Sequence, residues 1–251
     1  MSIRDTVRTL EEDLRQICGA RLQSLVVYGQ RAVGNPPAEE PPAREHSAHD
    51  KHDASVRTLA IVDGLSVSDL RSCAKLTGSW HDRGLATPLM VAAHEFGQSL
   101  DAFPLEFGAI IADHVVVAGT NPFETLRVDS LDVRRACEVQ ARSHLLHLRE
   151  AFLETRGHAG ALALLIVESA PAFAGLISSV ARLEQPVSGD AAAAARHAER
   201  TLDVAPGAIG DIVALVGVAE ISSAKAERLF PPYFDAVERL VRYVDGWSKR
   251  A

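Results

Sequence analysis

The feature that most restricts the fold is a series of helical patterns that begins at Ser130. Apolar residues recur at helical spacing over about 130–156, 159–183, 189–201, 207–219 and 223–248. Glycine or proline interrupts the pattern at Gly157, Pro186, Pro206 and the Pro231-Pro232 pair. The second half of the chain is therefore predicted to be an all-α helical bundle.

The first half mixes helical and strand patterns. Helical spacing covers residues 3–19, and short apolar runs predict strands at Leu25–Tyr28, Thr58–Val62 and Pro88–Ala92. Ser66 is expected to begin a helix that extends to about Trp80, and Leu105–Val117 to contain one or two further strands. The predicted fold is α+β, with a small mixed sheet in residues 1–128 and the helical bundle in residues 129–251.

Charge and composition restrict the partners and the compartment. The net charge is −7 and the pI is about 5.8, whereas proteins that bind duplex nucleic acid usually have a basic surface. The longest uninterrupted apolar run, Ala159–Val167, is too short to span a membrane, and the N-terminal segment lacks the apolar core of a signal peptide. Cys18, Cys73 and Cys137 are expected to be buried thiols in a reducing compartment. We therefore predict a cytoplasmic protein that binds neither membranes nor nucleic acid.

Residues 35–54 contain four prolines, many charges and almost no apolar residues, which predicts a mobile loop. His46, His49 and His52 are spaced by three residues within it, so a helical turn there could hold a transition metal. The polarity of the segment favours a solvated loop instead, and we predict no metal site.

The first predicted strand leads into the motif Val27-Tyr28-Gly29-Gln30-Arg31-Ala32-Val33-Gly34, and the segments 103–107 and 117–123 follow later. Together with the order of the elements, these segments resemble the nucleotidyltransferase superfamily that includes DNA polymerase β. The similarity is strongest to small bacterial members with a helical C-terminal domain. It covers about residues 1–128, and the following helices are compatible with such a domain.

The resemblance implies a metal-dependent site for a nucleoside triphosphate. In the family, a Gly-Ser loop presents backbone N–H groups and a hydroxyl to the phosphates. Two acids on alternate residues of the second strand point to one face and hold divalent metal ions. A third acid on a neighbouring strand completes the metal site or deprotonates the attacking hydroxyl.

This chain departs from that pattern at most of the key positions. Gly29 is present, but Gln30 replaces the family serine. The apolar run of the second strand places Ser55 and Arg57 at the positions of the paired acids, and neither can bind Mg²⁺. Glu106 falls at the third acid position. The resemblance therefore predicts a degenerate member, with Glu106 as the one retained catalytic acid and no metal site.

Three functions are consistent with these residues. In the first, the protein is a pseudoenzyme whose cleft binds a nucleotide, another phosphate-bearing ligand or a partner through Gly29, Gln30, Arg31, Ser55 and Arg57. In the second, it is an active nucleotidyltransferase that uses Glu106, Mg²⁺ and an unusual ligand such as Asp53 to transfer a nucleotide to a small molecule or a protein. In the third, it is an interaction protein of toxin–antitoxin type, which forms a homodimer or binds a partner through its helical half.

A second motif lies in the helical half. Arg142 and His147, with four residues between them, resemble the motif of the HEPN ribonucleases, in which a histidine and an arginine act on RNA. A long helix rich in arginine and glutamate also produces such a pair on its solvated face. We favour the surface interpretation.

Overall fold

The computed structural model describes residues 3–29, 55–184 and 191–247. Gln30, Arg31, the proposed loop 35–54 with its three histidines, and Asp53 lie outside the described residues. The chain divides into two compact units, Met1–Val128 and Asp129–Ala251.

The first unit combines helices with a small sheet. Its helices are α1 (Ile3–Cys18), α2 (Val67–Ala74), α3 (Thr77–Asp82), α4 (Ala93–Ala102) and α5 (Pro104–Ala112). Its strands are β1 (Leu22–Tyr28), β2 (Arg57–Val62), β3 (Leu89–Ala92) and β4 (His114–Gly119). The predicted α+β class of this half is confirmed.

The sheet is mixed and its order is β3-β2-β1-β4. Strand β1 pairs antiparallel with β2 on one side and with β4 on the other, and β2 pairs in parallel with β3. Tyr28, the last residue of β1, lies opposite Arg57 of β2 and opposite His114 of β4. The C-terminal end of β1 therefore meets the N-terminal ends of both neighbouring strands.

Alternate residues of β1 enter two separate hydrophobic clusters, because successive side chains of a strand point to opposite faces of a sheet. Leu25 and Val27 pack with residues of α1, α2 and α3, including Trp80, which is fully buried. Val26 packs with residues of α4 and α5, including Phe96 and Phe107. Helices thus pack on both faces of β1, and its side chains from Leu25 to Val27 are buried.

An ion pair closes the N-terminal end of β1. Arg21 Nη1 and Nη2 donate to the two carboxylate oxygens of Asp69, at 2.9 and 2.8 Å. Asp69 also accepts from the Ser66 backbone N–H at 2.9 Å, while the Ser66 hydroxyl accepts from the Asp69 N–H at 3.1 Å. This reciprocal capping box starts α2 where the sequence predicted a helix start. The hydrogen bonds from Arg21 and Ser66 hold the pKa of Asp69 well below its usual range.

Three predictions for the first unit were wrong in detail. The helix expected from Ser66 to Trp80 is divided into α2 and α3. Residues 93–102, for which we predicted no element, form α4. The strand expected to begin at Leu105 is the helix α5, with Pro104 in its first turn, and only β4 is a strand in that segment. A short apolar run fits either structure, and a proline in the first helical turn favours the helix.

The regular elements of the second unit are all helices in its described residues. It contains α6 (Ser130–Glu154), α7 (Ala159–Glu184), α8 (Ala191–Leu202), α9 (Gly210–Val213) and α10 (Ser223–Gly246). The predicted bundle is confirmed, although α9 is much shorter than the helix predicted over 207–219. The break predicted at Pro231-Pro232 was wrong, since α10 continues through both prolines.

Helix α7 is the apolar centre of this unit. An 18-residue stretch within its residues 159–183 has a mean hydropathy of 1.9, and among the described helices this one is long and apolar enough to cross a membrane. The uninterrupted apolar run is much shorter than the helix, because Glu168 and Pro171 divide the apolar residues. In the structure α7 packs against α6, α8, α9 and α10. The core helix of a soluble protein meets the same criterion, so the finding is weak evidence for a membrane span.

Candidate functional site

The strand ends around Gly29 bring several chemically active side chains together. Gly29 follows β1 with a left-handed φ of +87°, a conformation that favours glycine. A Cβ atom at this position would lie 3.4 Å from Arg57 Nη2 and 3.6 Å from Arg57 Nε. The guanidinium of Arg57 therefore lies directly over the glycine turn.

Arg57 is an exposed cation, and its guanidinium carbon lies 5.8 Å from the centre of the Tyr28 ring. This distance is within the range of a cation–π contact. In the described part of the chain, no carboxylate lies within salt-bridge distance of Arg57. Its donors are thus available to an anion from solution.

Glu106 lies close to the same cluster but on a different element from the one predicted. It is an exposed residue in the first turn of α5, not on a strand. Burial raises the pKa of the Tyr28 phenol, the positive charge of Arg57 opposes this rise, and the negative charge of Glu106 adds to it. Glu106 is therefore near enough to act electrostatically on the site, without the alternate-residue geometry of a strand carboxylate.

The backbone of Gly29 does not offer a free donor to a phosphate. Its N–H donates to the carbonyl oxygen of Asp113 at 3.1 Å, which extends the pairing of β1 with β4 by one residue. In the Gly-Ser loop implied by the resemblance, such N–H groups would face the ligand. Among the described residues of this turn, the side chain of Arg57 is the group that could donate to an anion.

Asp113 is an acidic residue at this strand end that sequence reasoning missed. It lies immediately before β4 and opposite Gly29, and its Oδ1 atom is buried without a hydrogen-bond partner in the described residues. Burial raises the pKa of this carboxyl group, while the charges of His114 and Arg57 lower it. An acid directly before the apolar run of residues 114–118 was a signal that this strand end could carry chemistry.

Three further residues complete the predicted ligand-binding set. Ser55 is half-buried and precedes β2 by two residues. Gln30 and Arg31 lie outside the described residues. Of the predicted ligand-binding residues, Gly29 and Arg57 are in contact in the structure, and Ser55 lies two residues before Arg57 in the chain.

The residues at this site do not fit a magnesium ion. Magnesium requires near-octahedral oxygen coordination, usually with one or two carboxylates. Across residues 3–29, 55–184 and 191–247, no group of three His, Cys, Asp or Glu residues could hold a metal ion. Arg57, moreover, places a positive charge where the resemblance expects a metal-binding acid.

Comparison with known proteins identifies the fold. No family model matches this sequence, and no curated protein matches it. Among solved structures, the fold is similar to the crystal structure of spectinomycin adenyltransferase AAD(9) from Enterococcus faecialis with ATP and spectinomycin. The TM-score is 0.56 at 11% sequence identity, and the match covers 95% of this chain and 99% of that chain. This chain has a nucleotidyltransferase-like fold.

The nucleotidyltransferase-like fold accounts for the small mixed sheet followed by helices. At this level of sequence identity, the similarity establishes the architecture and leaves the chemistry to the residues of this chain. The residues at the end of β1 are the relevant ones, because the resemblance places the phosphate-binding turn there.

The helical unit contains a second concave surface, of about 460 Å³ between α6 and α7. Its lining includes Glu150, Glu154 and Glu168. These carboxylates would repel a phosphate group, whereas Arg57 would attract one. The charge of its lining therefore makes this surface unsuited to an anion.

The structure also separates the two residues of the HEPN-like motif. Arg142 Nη2 donates to Asp245 at 2.6 Å, and His147 Nδ1 lies 3.3 Å from Glu150 Oε2. Residues five apart on a helix point in directions that differ by about 140°. Each side chain has its own acidic neighbour, which agrees with a solvated helix face.

Proposed function

We propose that this protein is a nucleotidyltransferase-fold protein that has lost the paired metal-binding acids and binds a phosphate-bearing ligand at the end of β1 without a metal. The observation that carries the proposal is the guanidinium of Arg57, which lies over Gly29 without a carboxylate partner among the described residues. A guanidinium binds phosphate oxygens through paired, charge-assisted hydrogen bonds.

ATP is the first ligand to test, because the structurally similar adenyltransferase was crystallised with ATP. Isothermal titration calorimetry would compare ATP binding with excess Mg²⁺ and with EDTA. We expect the Kd values to agree within about twofold if Arg57 replaces the metal. Binding that occurs only with Mg²⁺ would overturn the proposal.

Arg57→Gln removes the charge and retains hydrogen-bonding capacity. We expect it to weaken ATP binding by about 10- to 100-fold, which corresponds to the loss of one or two hydrogen bonds to a charged group. The matched control is Arg71→Gln, which changes an exposed arginine of α2, the helix that packs on the other face of the sheet. Equal affinities of the Arg57 and Arg71 variants would remove Arg57 from the site.

An active nucleotidyltransferase is the second candidate, and the position of Asp113 favours it. Asp113 and Glu106 place two carboxylates near the end of β1, and Asp53 would supply a third from outside the described residues. This candidate requires Mg²⁺-dependent release of pyrophosphate from ATP in the presence of an acceptor. Glu106→Gln should then abolish the release, whereas a pseudoenzyme shows no release with either form.

The interaction role of the helical unit stays a prediction. A protein that binds no nucleotide, with or without Mg²⁺, would favour a homodimer or a protein partner as its function. Sedimentation velocity over a range of concentrations would identify the homodimer directly.

A further inference from the structure

Helix α6 carries apolar residues on two different faces. Its inner face supplies the buried residues, and these are Cys137, Ala141, Leu145 and Leu148. A second face has an apolar residue at every seventh position, and these are Val139, Leu146 and Leu153. Residues seven apart on a helix differ in direction by only about 20°, so these three side chains form one line along α6. We call these three residues the outer stripe.

The outer stripe is exposed, although its residues are apolar. Val139, Leu146 and Leu153 are 68%, 61% and 75% exposed. Single exposed apolar residues are common on protein surfaces, but the outward face of a helix is normally polar along its length. A seven-residue apolar repeat is typical of a helix that packs against a second helix. The outer stripe therefore has the pattern of a helix-binding surface, and no helix in the described part of the chain covers it.

The concave surface of about 460 Å³ between α6 and α7 adjoins the outer stripe. Glu150 lines this groove, and it lies four residues after Leu146 and three before Leu153. Residues three and four apart are neighbours on a helix surface. Leu164 of α7 also lines the groove and is 56% exposed. The stripe and the groove thus form one surface with exposed leucines on both helices.

The flank of the stripe toward α10 is electrically balanced. Arg142 Nη2 lies 2.6 Å from Asp245 Oδ2, and Arg149 Nη2 lies 2.7 Å from Glu238 Oε1. Both acids belong to α10. Each of these two arginines therefore has a negative partner within its own chain, and the four residues together have no net charge.

The flank toward α7 has an excess of negative charge. Its carboxylates line the groove, and they belong to Glu150, Glu154 and Glu168. Glu154 lies 3.6 Å from Arg156, and Glu150 lies 3.3 Å from His147 Nδ1. Both side chains of the pair between Glu154 and Arg156 are more than 70% exposed, so this ion pair is weak. Three carboxylates and one guanidinium leave this flank acidic.

We propose that the outer stripe and the adjoining groove bind an amphipathic α-helix of another protein that has lysine or arginine beside its apolar face. The apolar side chains of the partner would cover Leu146, Leu153 and Leu164, and its cations would lie against the carboxylates of the groove. A helix with acidic flanks would meet charge of the same sign. A second copy of this chain is less suited, because the arginines it would present, Arg142 and Arg149, are paired with α10. This inference does not depend on the anion site at the end of β1.

The test uses two synthetic helical peptides and the unmodified chain. The first peptide has three heptads, with leucine at the two apolar positions of each heptad and lysine at the flanking positions. The second peptide keeps the leucines and has glutamate in place of each lysine. Fluorescence anisotropy would measure binding at neutral pH and about 0.15 M salt. We expect the lysine peptide to bind at least about 10-fold more tightly, and equal binding of the two peptides or binding of neither would overturn the proposal.

A variant of the stripe separates this surface from the general negative charge of the protein. Leu146→Gln combined with Leu153→Gln leaves the net charge unchanged and replaces exposed side chains, so the fold should be retained. We expect the lysine peptide to bind this variant at least about 10-fold less tightly. The matched control is Leu131→Gln, which changes an exposed leucine of the same helix outside the seven-residue series. Equal affinities of the stripe variant and the control would overturn the proposal.

Sedimentation velocity tests the alternative that a second copy covers the stripe. We expect the unmodified protein and the stripe variant to sediment alike, since the stripe is free in the absence of the partner helix. A dimer that dissociates in the stripe variant would show that two copies pair through α6. That result would overturn the proposal of a separate partner.

Discussion

The two ends of strand β1 each place an aspartate near an arginine, with opposite results. At the N-terminal end, Arg21 and Asp69 form two hydrogen bonds, and the pKa of Asp69 is lowered. At the C-terminal end, Arg57 and Asp113 influence each other through charge alone, and the pKa of Asp113 is raised by burial. The paired charges at the N-terminal end stabilise the fold, whereas Arg57 at the C-terminal end is exposed and keeps its donors available.

The largest effect is expected when the closed pair is broken. Asp69→Ala removes the carboxylate that pairs with Arg21 and the capping box of α2, and we expect the Tm to fall by about 5–10 °C. Asp63→Ala is the control, since Asp63 is exposed and accepts only a long hydrogen bond of 3.4 Å from Gln23. Thermal unfolding followed by circular dichroism would measure both.

The pH dependence of this pair follows from the lowered pKa of Asp69. The unfolded chain binds a proton at a higher pH than the folded chain, so the stability from Asp69 is present above about pH 4 and is lost as the pH falls further. Asp69→Ala should reduce the loss of stability at acid pH. If stability fell as steeply with pH in this variant as in the unmodified protein, other carboxylates would be responsible for the loss.

A closed cluster in the helical unit extends the comparison. The ring of His144 lies 2.6 Å through Nε2 from the Tyr233 hydroxyl, which donates to Ser169 at 3.1 Å. Burial, together with the charge of His147, lowers the pKa of His144 to about 4. Unfolded histidine titrates near 6.5, so the unfolded state binds the proton first and stability is lost as the pH falls from about 6.5 to 4.

We expect this loss to be roughly 2 kcal/mol between pH 7 and pH 4.5, measured by urea unfolding. His144→Gln should reduce the loss, and the exposed His158→Gln should retain it. Equal losses of stability in the two variants would show that the titration of His144 does not cause the loss.

A smaller effect is expected at the glycine turn beneath Arg57. Gly29→Ala places a Cβ in a left-handed conformation and 3.4 Å from Arg57 Nη2, so we expect a destabilisation of about 1–2 kcal/mol and weaker binding of phosphate. Gly78→Ala, in helix α3 with no atom near its added methyl group, should be neutral or slightly stabilising. Urea unfolding and calorimetry would measure the two effects separately.

The smallest effect on stability is expected at the open pair. Asp113→Ala removes a buried acceptor without a partner, so we expect the free energy of unfolding to change by less than about 1 kcal/mol, in the direction of greater stability. A loss comparable with that of Asp69→Ala would show that Asp113 is part of a closed pair after all. Urea unfolding at neutral pH measures the difference.

Sequence patterns predicted the elements whose periodicity is long or strict. Helix α1, the strands β1 and β2 and the long helices of the second unit are close to their predicted ranges, because each buries a regular stripe or face. Helix α5 could not be distinguished from a strand, because its residues from Leu105 to Ala112 are nearly all apolar. Glu106 was assigned to the wrong element for that reason.

The site was only partly accessible from sequence. The alternation of residues in β2 pointed to Arg57, and the structure places it over Gly29. The position of Asp113 next to Gly29 depends on the pairing of β4 with β1, a contact between residues more than eighty positions apart. No local pattern encodes that partner, so the open carboxylate became visible only in the folded chain.

The central place of β1 in its sheet also sets the reach of the site. Arg57 and Asp113 belong to the ends of strands on opposite sides of β1, and neighbouring strands lie about 4.8 Å apart. Their main chains are therefore held about 10 Å from each other, so the pairing of the strands sets the distance that separates the two charges. A shift of β2 or β4 along β1 would change this distance without altering either residue.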